Sequence, residues 1–401
     1  MIPRRRIEIE AADIGDFFAA PFLSHRRHRD VHVFEGALAA YLGCPQVRAV
    51  SSGRDALRVI LAALELRPGD EIVIPAYTLG ELVPFLQRDG YRPIAADVDS
   101  RSYNVTVDTV AAALTPRTRA ILVLHAFGAP CDIVGIGELA RTHAIPLIED
   151  CAHALGATAG ARKVGTFGRA GFFSFEVNKP VATFGGGIVA TADAELARRI
   201  DGLIDRRPAT EWPALRKAVF KMAEEMAVRS PLYGVAAALM FSERRSGAFE
   251  RHYRRFHDRV RTQELAYSGF QARVGLRRLR RLDQRNAQMN AHWEELRRRL
   301  DGTPLVPQQR DRFGTPAFYN FAAAVPGALA PLRDAARRAG IDIAIRGEAM
   351  DDVAALLGQG GCPNAAALFG SLALLPLHGG VAPLRLDAMA QRLRTVLAAV
   401  R

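Results

Sequence analysis

Between Val47 and Lys179 the chain alternates short apolar runs with helical stretches, and several of those runs end on residues capable of chemistry. Val47-Arg48-Ala49-Val50 stops at Ser51-Ser52-Gly53, and Ala144 to Glu149 stops at Asp150. Between them lie the strand-like Glu71–Pro75, Pro93–Val98 and Ala120–His125, separated by helical Arg54–Leu66, Glu81–Arg88 and Val107–Ala113. Short apolar strands divided by helices predict an α/β fold, a mostly parallel sheet covered on both faces. Ligands of such sheets sit at the carboxyl ends of the strands. Gly53, Asp150 and, after a longer exit, Lys179 fall at or just beyond such ends.

Lys179 follows the apolar run Gly171–Phe175, which reads as a buried strand, and precedes Gly185-Gly186-Gly187. A lysine there is costly to keep charged unless a partner or a reaction uses it. One use is as an amine that forms a Schiff base with an aldehyde cofactor; the plainer one is a side chain snorkelling to solvent. Asp150, at the base of the cleft, needs a cationic partner, and a pyridinium N–H would serve. His153, three residues on, could stack on a ring, hydrogen-bond a phenolic oxygen, or simply pack. Ser174 could donate to a phosphate. Ser51-Ser52-Gly53-Arg54 precedes a helix, where backbone N–H groups and the helix dipole make an anion site or Ser52 makes an ordinary N-cap.

The first thirty residues read as an irregular arm ending in Ser24-His25-Arg26-Arg27-His28-Arg29, followed by a helix over Val33–Leu42. A large domain over 31–262 would contain the alternating region, helices at Ala194–Ile204 and Leu215–Val228, and an insertion at about 205–262. A smaller α+β domain over 263–401 would open on one long helix, Phe270 to about Leu300. Strands at Phe318–Val325 and Ile341–Ile345 and helices at Leu329–Ala339 and Asp387–Val400 would follow.

The formal charge of +12 is concentrated: Glu243 to Arg299 holds sixteen arginines, no lysine and seven acids. Phe249, Tyr253 and Phe256 interleave with them, but no nucleic-acid module matches, and solvated arginine faces account for such a run. Pro231–Phe241 is apolar yet too short to span a bilayer. It reads as a core or lid helix, or as an interfacial helix beside the arginines, gripping a membrane or a lipid-linked substrate. No apolar run reaches spanning length, and acidic Glu8 and Glu10 stand where a signal core would be. Cys44, Cys131, Cys151 and Cys362 lie far apart without metal-ligand spacing and read as reduced thiols, with no metal site expected. A cytoplasmic protein, at most peripheral to the inner membrane face, is the expectation.

These pieces resemble the DegT/DnrJ/StrS family of sugar aminotransferases. The resemblance rests on Pro68-Gly69-Asp70-Glu71, Pro75-Ala76-Tyr77-Thr78, Asp97-Val98-Asp99 and Thr115-Pro116-Arg117-Thr118-Arg119-Ala120-Ile121. It continues through His125-Ala126-Phe127-Gly128-Ala129-Pro130-Cys131-Asp132, Glu149-Asp150-Cys151-Ala152-His153-Ala154-Leu155-Gly156-Ala157, and Ser174-Phe175 to Lys179 with Gly185-Gly186-Gly187. The resemblance implies the type I aspartate-aminotransferase-like fold, a three-layer αβα large domain with a smaller C-terminal domain, and pyridoxal 5′-phosphate as cofactor. It implies Lys179 as the aldimine lysine and Asp150 on the pyridine nitrogen, these two being the catalytic pair. His153 would lie near the ring, and Ser52, Ser174 and the amides of Gly53 and Arg54 would hold the phosphate. It also implies glutamate or glutamine as donor, a keto-sugar acceptor, nucleotide- or lipid-linked, and a homodimer with shared active sites.

The chain departs from the family's pattern in four places. Arg54 replaces the usual threonine and would either add charge to the phosphate grip or turn away. Leu79 stands where many members place an aromatic residue over the ring, leaving Tyr77 or other contacts for that role. Glu264–Tyr267 aligns with an Asn-x-Arg-Met stretch but has neither the asparagine nor the arginine, and the insertion is long and basic. Two other readings remain open: a dehydratase using the same cofactor, whose members commonly replace the lysine by histidine, and a non-catalytic scaffold with a basic membrane- or nucleic-acid-binding surface.

Overall fold

The computed structural model describes residues 1–177, 179–230, 264–317, 320–379 and 383–399. The strands of its main sheet are β1 (Gln46–Val50), β2 (Glu71–Pro75), β3 (Arg92–Ala96), β4 (Thr118–Leu124), β5 (Leu147–Asp150), β6 (Ala170–Ser174) and β7 (Gly187–Thr191), in the order β1-β7-β6-β5-β4-β2-β3. From β3 to β6 every pairing is parallel. The mostly parallel sheet expected from the alternation is present.

β7 was hidden by its triple glycine and runs antiparallel to both neighbours. Gly187 therefore pairs with Val50 on one side and Ser174 on the other, and the ends of β1 and β6 meet across its backbone. A Cβ on Gly187 would lie 2.6 Å from the Phe173 carbonyl oxygen and 2.8 Å from the Gly53 nitrogen, so nothing larger than glycine fits.

The helices of this part are α1 (Ala11–Ala19), α2 (Arg27–Leu42), α3 (Gly53–Ala63), α4 (Leu82–Arg88), α5 (Val107–Ala113), α6 (Ile133–Thr142), α7 (Ala194–Ile204) and α8 (Trp212–Arg229). α4, α5 and α6 connect successive parallel strands, as such pairs require. β2 is buried along its whole length, in keeping with cover on both faces. α3 buries Ala56, Leu57, Val59, Ile60 and Leu61.

The arm is more ordered than the sequence suggested. The Asp13 carboxylate accepts the Glu10 N–H at 3.0 Å at the head of α1, and α2 begins six residues before the expected start, at Arg27. Further on, the single long helix is two, α9 (Gly269–Leu279) and α10 (Leu282–Arg299). The break at Arg280–Arg281 has a packing cause, because the two halves serve different cores. Phe270 and Val274 join the cluster of α1 and α8, while Met289, Trp293 and Leu296 join that of the small sheet. One straight helix could not face both.

The small sheet is antiparallel, in the order Val306–Pro307, Phe321–Ala324, Leu372–Leu375, Ala344–Ile345. Leu372–Leu375 was not anticipated as a strand, Ile341–Ile345 shortens to Ala344–Ile345, and the closing helix starts at Pro383. The arm reaches this sheet, with Ile2 bridging to Ile341 and Arg4 forking onto Asp342. Pro231–Phe241, Phe249, Tyr253, Phe256 and the arginines before Gln263, like Phe318 and Tyr319, lie outside the described residues.

Candidate active site

Lys179, Asp150, His153, Ser174 and Gly53 come together at the ends of β1, β5 and β6. Lys179 is 7% exposed, Asp150 and His153 are equally buried, and the lysine's charge acts on both. Burial pushes the Asp150 carboxyl up to about 6, against the Ala152 N–H bonded to Oδ1 at 2.9 Å and the charge of Lys179. Such a carboxylate is ionised at neutral pH but gains from any cationic N–H placed against it.

His153 has its ring stacked on Phe127, centroids 5.9 Å apart, and its Nδ1 accepts the Phe127 N–H at 3.3 Å. The proton therefore sits on Nε2. Burial, then the charge of Lys179, hold this imidazole well below its ordinary range, so it is a neutral donor.

At the head of α3, the Ser52 hydroxyl accepts the Asp55 N–H at 3.0 Å, which is the ordinary cap. A Cβ on Gly53 would come within 3.0 Å of Ser174 Cβ, so the two residues shape a narrow cup at a helix N-terminus. The Arg54 guanidinium turns away from this cup and pairs with Glu81 at 2.9 Å. Asp55 anchors the cup from below. It is fully buried, accepts from Ser51, and is forked by Arg207 at 2.6 and 3.1 Å, with Arg58 at 2.9 Å. Tyr77 is wholly buried in the core that also takes Tyr103 and Phe127, and its hydroxyl has no hydrogen-bond partner among the described residues. Leu79 is 43% exposed.

The loop that carries Lys179 is held by residues that sequence reasoning missed. Tyr267 OH lies 2.8 Å from Thr183 Oγ1, and its ring stacks on Phe34 and presses on Gly186. Gln271 donates to the Gly185 carbonyl at 2.9 Å, and Lys217 pairs with Glu176 at 2.6 Å. Arg278 donates to the Ala182 carbonyl, and Arg285 to those of Pro180 and Lys179.

Those arginines belong to the run that read as a solvated basic face. Their counter-ions come from the arm: Arg285 pairs with Glu8, Arg281 with Glu10, Arg277 and Arg278 with Asp13, and Arg273 with Asp16 and Asp30. The only signal in the sequence was four acids spaced through residues 8–16, some 260 residues before the arginines they meet.

His125, Glu149 and Cys151 sit close enough to suggest a metal cage. Glu149, however, accepts N–H groups from Gly165, Phe167 and Gly168 and meets His125 Nε2 at 3.2 Å, so both its oxygens are occupied. His125 Nδ1 takes the Cys131 N–H, and burial pushes the Cys151 thiol up to about 12. The trio ties β5 to the turn before β6. All four cysteines are free and buried.

The family described as DegT/DnrJ/EryC1/StrS aminotransferase matches residues 24–394. The chain belongs to that family.

Within it, the UDP-N-acetyl-3-dehydro-alpha-D-glucosamine 3-aminotransferase of Acidithiobacillus ferrooxidans is 43% identical over 170 residues, 42% of this chain and 46% of that protein. The GDP-perosamine synthase of Caulobacter vibrioides is 38% identical over 167 residues, 42% of this chain and 45% of that protein. These matches span less than half the length of either relative. The crystal structure of the aminotransferase TlmJ from Streptoalloteichus hindustanus superposes with a TM-score of 0.80 at 25% identity, over 100% of this chain and 99% of that one. The fold is thus the one the resemblance implied, and the DegT/DnrJ/EryC1/StrS frame runs through both sheets.

Proposed function

We propose that the chain is a pyridoxal-phosphate-dependent aminotransferase. It would move an amino group from glutamate or glutamine to a keto-sugar, nucleotide- or lipid-linked, or to a related cyclic ketone. The convergence of Lys179, Asp150 and His153 beside the cup formed by Gly53 and Ser174 carries this reading. The residues fit the cofactor: the N–H groups at the head of α3 beside the Ser174 hydroxyl suit a phosphate, and a Cβ at Gly53 would crowd Ser174 at 3.0 Å. The buried carboxylate at β5 suits a protonated ring nitrogen. When bound, pyridoxal phosphate supplies an aldehyde for amines and a ring that draws electron density from the adjacent carbon.

Lys179 is the residue to hold that aldehyde, and its amine, once released, to carry a proton to and from the substrate carbon. Asp150 keeps the ring nitrogen protonated. His153 offers its Nε2 proton, or its face, to the ring. Ser174 and Ser52 can donate hydroxyl protons to the phosphate, and the N–H groups of Gly53 and Arg54 add the helix terminus. Arg54 contributes its backbone only, since its guanidinium is committed to Glu81. Tyr77, which the resemblance offered as a ring contact, is wholly buried in the core and presents no surface to the ring. The same reading makes the working form a cytoplasmic homodimer with active sites at the subunit interface.

The test is a donor–acceptor screen. Cofactor-loaded protein given glutamate or glutamine should lose its visible absorbance in favour of the near-ultraviolet band of the aminated cofactor. UDP- or GDP-linked keto-sugars should then restore it and yield amino sugars by mass spectrometry. A deoxy product formed without donor consumption would make the chain a dehydratase, and no response to any common donor would contradict catalysis.

A further inference from the structure

We propose that the outward face of α1 and α8 docks on an anionic membrane surface. α8 buries Ala214, Leu215 and Ala218, yet its opposite side is also apolar: Trp212, Val219, Phe220 and Met226 are exposed, Trp212 by 69%. Phe18 on α1 and Phe22 just beyond it join them, Phe22 being 80% exposed. Between the two helices runs a groove of about 590 Å³, walled by Phe17, Phe18, Pro21, Trp212 and Leu215, with Arg216 as its charged residue. A contiguous patch this rich in aromatic residues is costly to leave in water and marks an interaction site.

Charge selects the occupant. The acids of α8 are engaged elsewhere: Glu211 by the head of α9, Glu224 by Arg5 and Lys221, Glu225 by Arg6 and Arg229. Arg216, Arg26 and Arg29 are exposed and meet no carboxylate among the described residues. Gly269 packs between Arg27 and Glu211, which brings the basic turn before α2 beside the head of α8. The charges on this rim that meet no carboxylate among the described residues are arginines, which an anionic surface complements. Lipid phosphates meet the rim directly, while the apolar groove suits acyl chains and exposed Trp and Phe side chains suit the headgroup boundary. Docking here requires nothing of the chemistry at Lys179.

Trp293 is buried and Trp212 exposed, so a Trp293→Phe background makes Trp212 the reporter. With vesicles of equal parts phosphatidylglycerol and phosphatidylcholine at low salt, its emission should shift to the blue and the protein should sediment with the vesicles. Pure phosphatidylcholine or high salt should abolish both. Phe22→Ser, at a site too exposed to affect folding, should weaken binding about tenfold. Arg26→Gln and Arg29→Gln should each weaken it about fivefold. The proposal is overturned by an unshifted spectrum with anionic vesicles or by unchanged binding of these variants. It is equally overturned if Phe22→Ser converts a dimer to a monomer in light scattering, which would make the face a contact between copies.

Discussion

The charge of Lys179, in the loop after β6, acts on the buried carboxyl of Asp150, 29 positions earlier at the end of β5. Burial pushes that carboxyl up to about 6, above the ordinary 3.8, and Lys179 only partly offsets it. The protein without cofactor therefore holds an acid whose charge it disfavours. A group raised in the folded state contributes stability below its unfolded value and loses it as pH rises through the folded one. Asp150→Asn should accordingly leave the cofactor-free protein unchanged below about pH 4 and make it more stable above about pH 6, by about 2–3 kcal/mol at most. Urea denaturation across that window checks this; cofactor affinity should fall in the same variant.

Tyr267 braces the loop that carries Lys179. Tyr267→Phe removes one buried hydrogen bond to Thr183 and should cost about 1 kcal/mol. Gly186→Ala should be far worse, because Gly186 has φ +98 and its added methyl would lie 2.3 Å from the Tyr267 ring. Strain and overpacking together should cost about 3 kcal/mol. Thermal unfolding compares the two variants, and cofactor release should quicken in the same order.

Arg207→Ala leaves Asp55 buried with only Arg58 and Ser51 to answer its charge. Breaking one side of a buried ion pair costs about 3 kcal/mol. Because Asp55 supports the head of α3, phosphate affinity should weaken as well, which equilibrium titration with pyridoxal phosphate measures.

Asp13→Ala strips Arg277 and Arg278 of a shared, fully buried carboxylate. The expected loss is about 3 kcal/mol. It should appear as increased proteolysis of the arm and faster hydrogen exchange in the Lys179–Ala182 loop that Arg278 holds.

The parallel sheet was legible because Glu71–Pro75 and Ala120–Leu124 are apolar runs that only a doubly covered sheet accommodates. Gly53, Asp150 and Lys179 were legible because they stand at the ends of such runs. β7 was not, since Gly185-Gly186-Gly187 reads as a loop and only contact with Gly53 and Phe173 shows why glycine is needed. The role of Arg278 and Arg285 was also invisible, because their carboxylates come from an arm some 260 residues away. The break between α9 and α10 was missed because Leu279 and Leu282 continue the helical spacing and share one core, while Phe270 and Val274 before the break and Met289 and Trp293 after it serve two others. The side chain of Arg54 could have turned either way on sequence alone; Glu81, the residue just before α4, captures it.

Covalent capture at Lys179 tests the central claim most directly. Protein loaded with pyridoxal phosphate, reduced with borohydride and proteolysed should carry the pyridoxyl mass on the peptide containing Lys179. Lys179→Ala should lose both that adduct and the borohydride-sensitive visible band. Retention of an unchanged borohydride-sensitive band in Lys179→Ala would contradict the assignment.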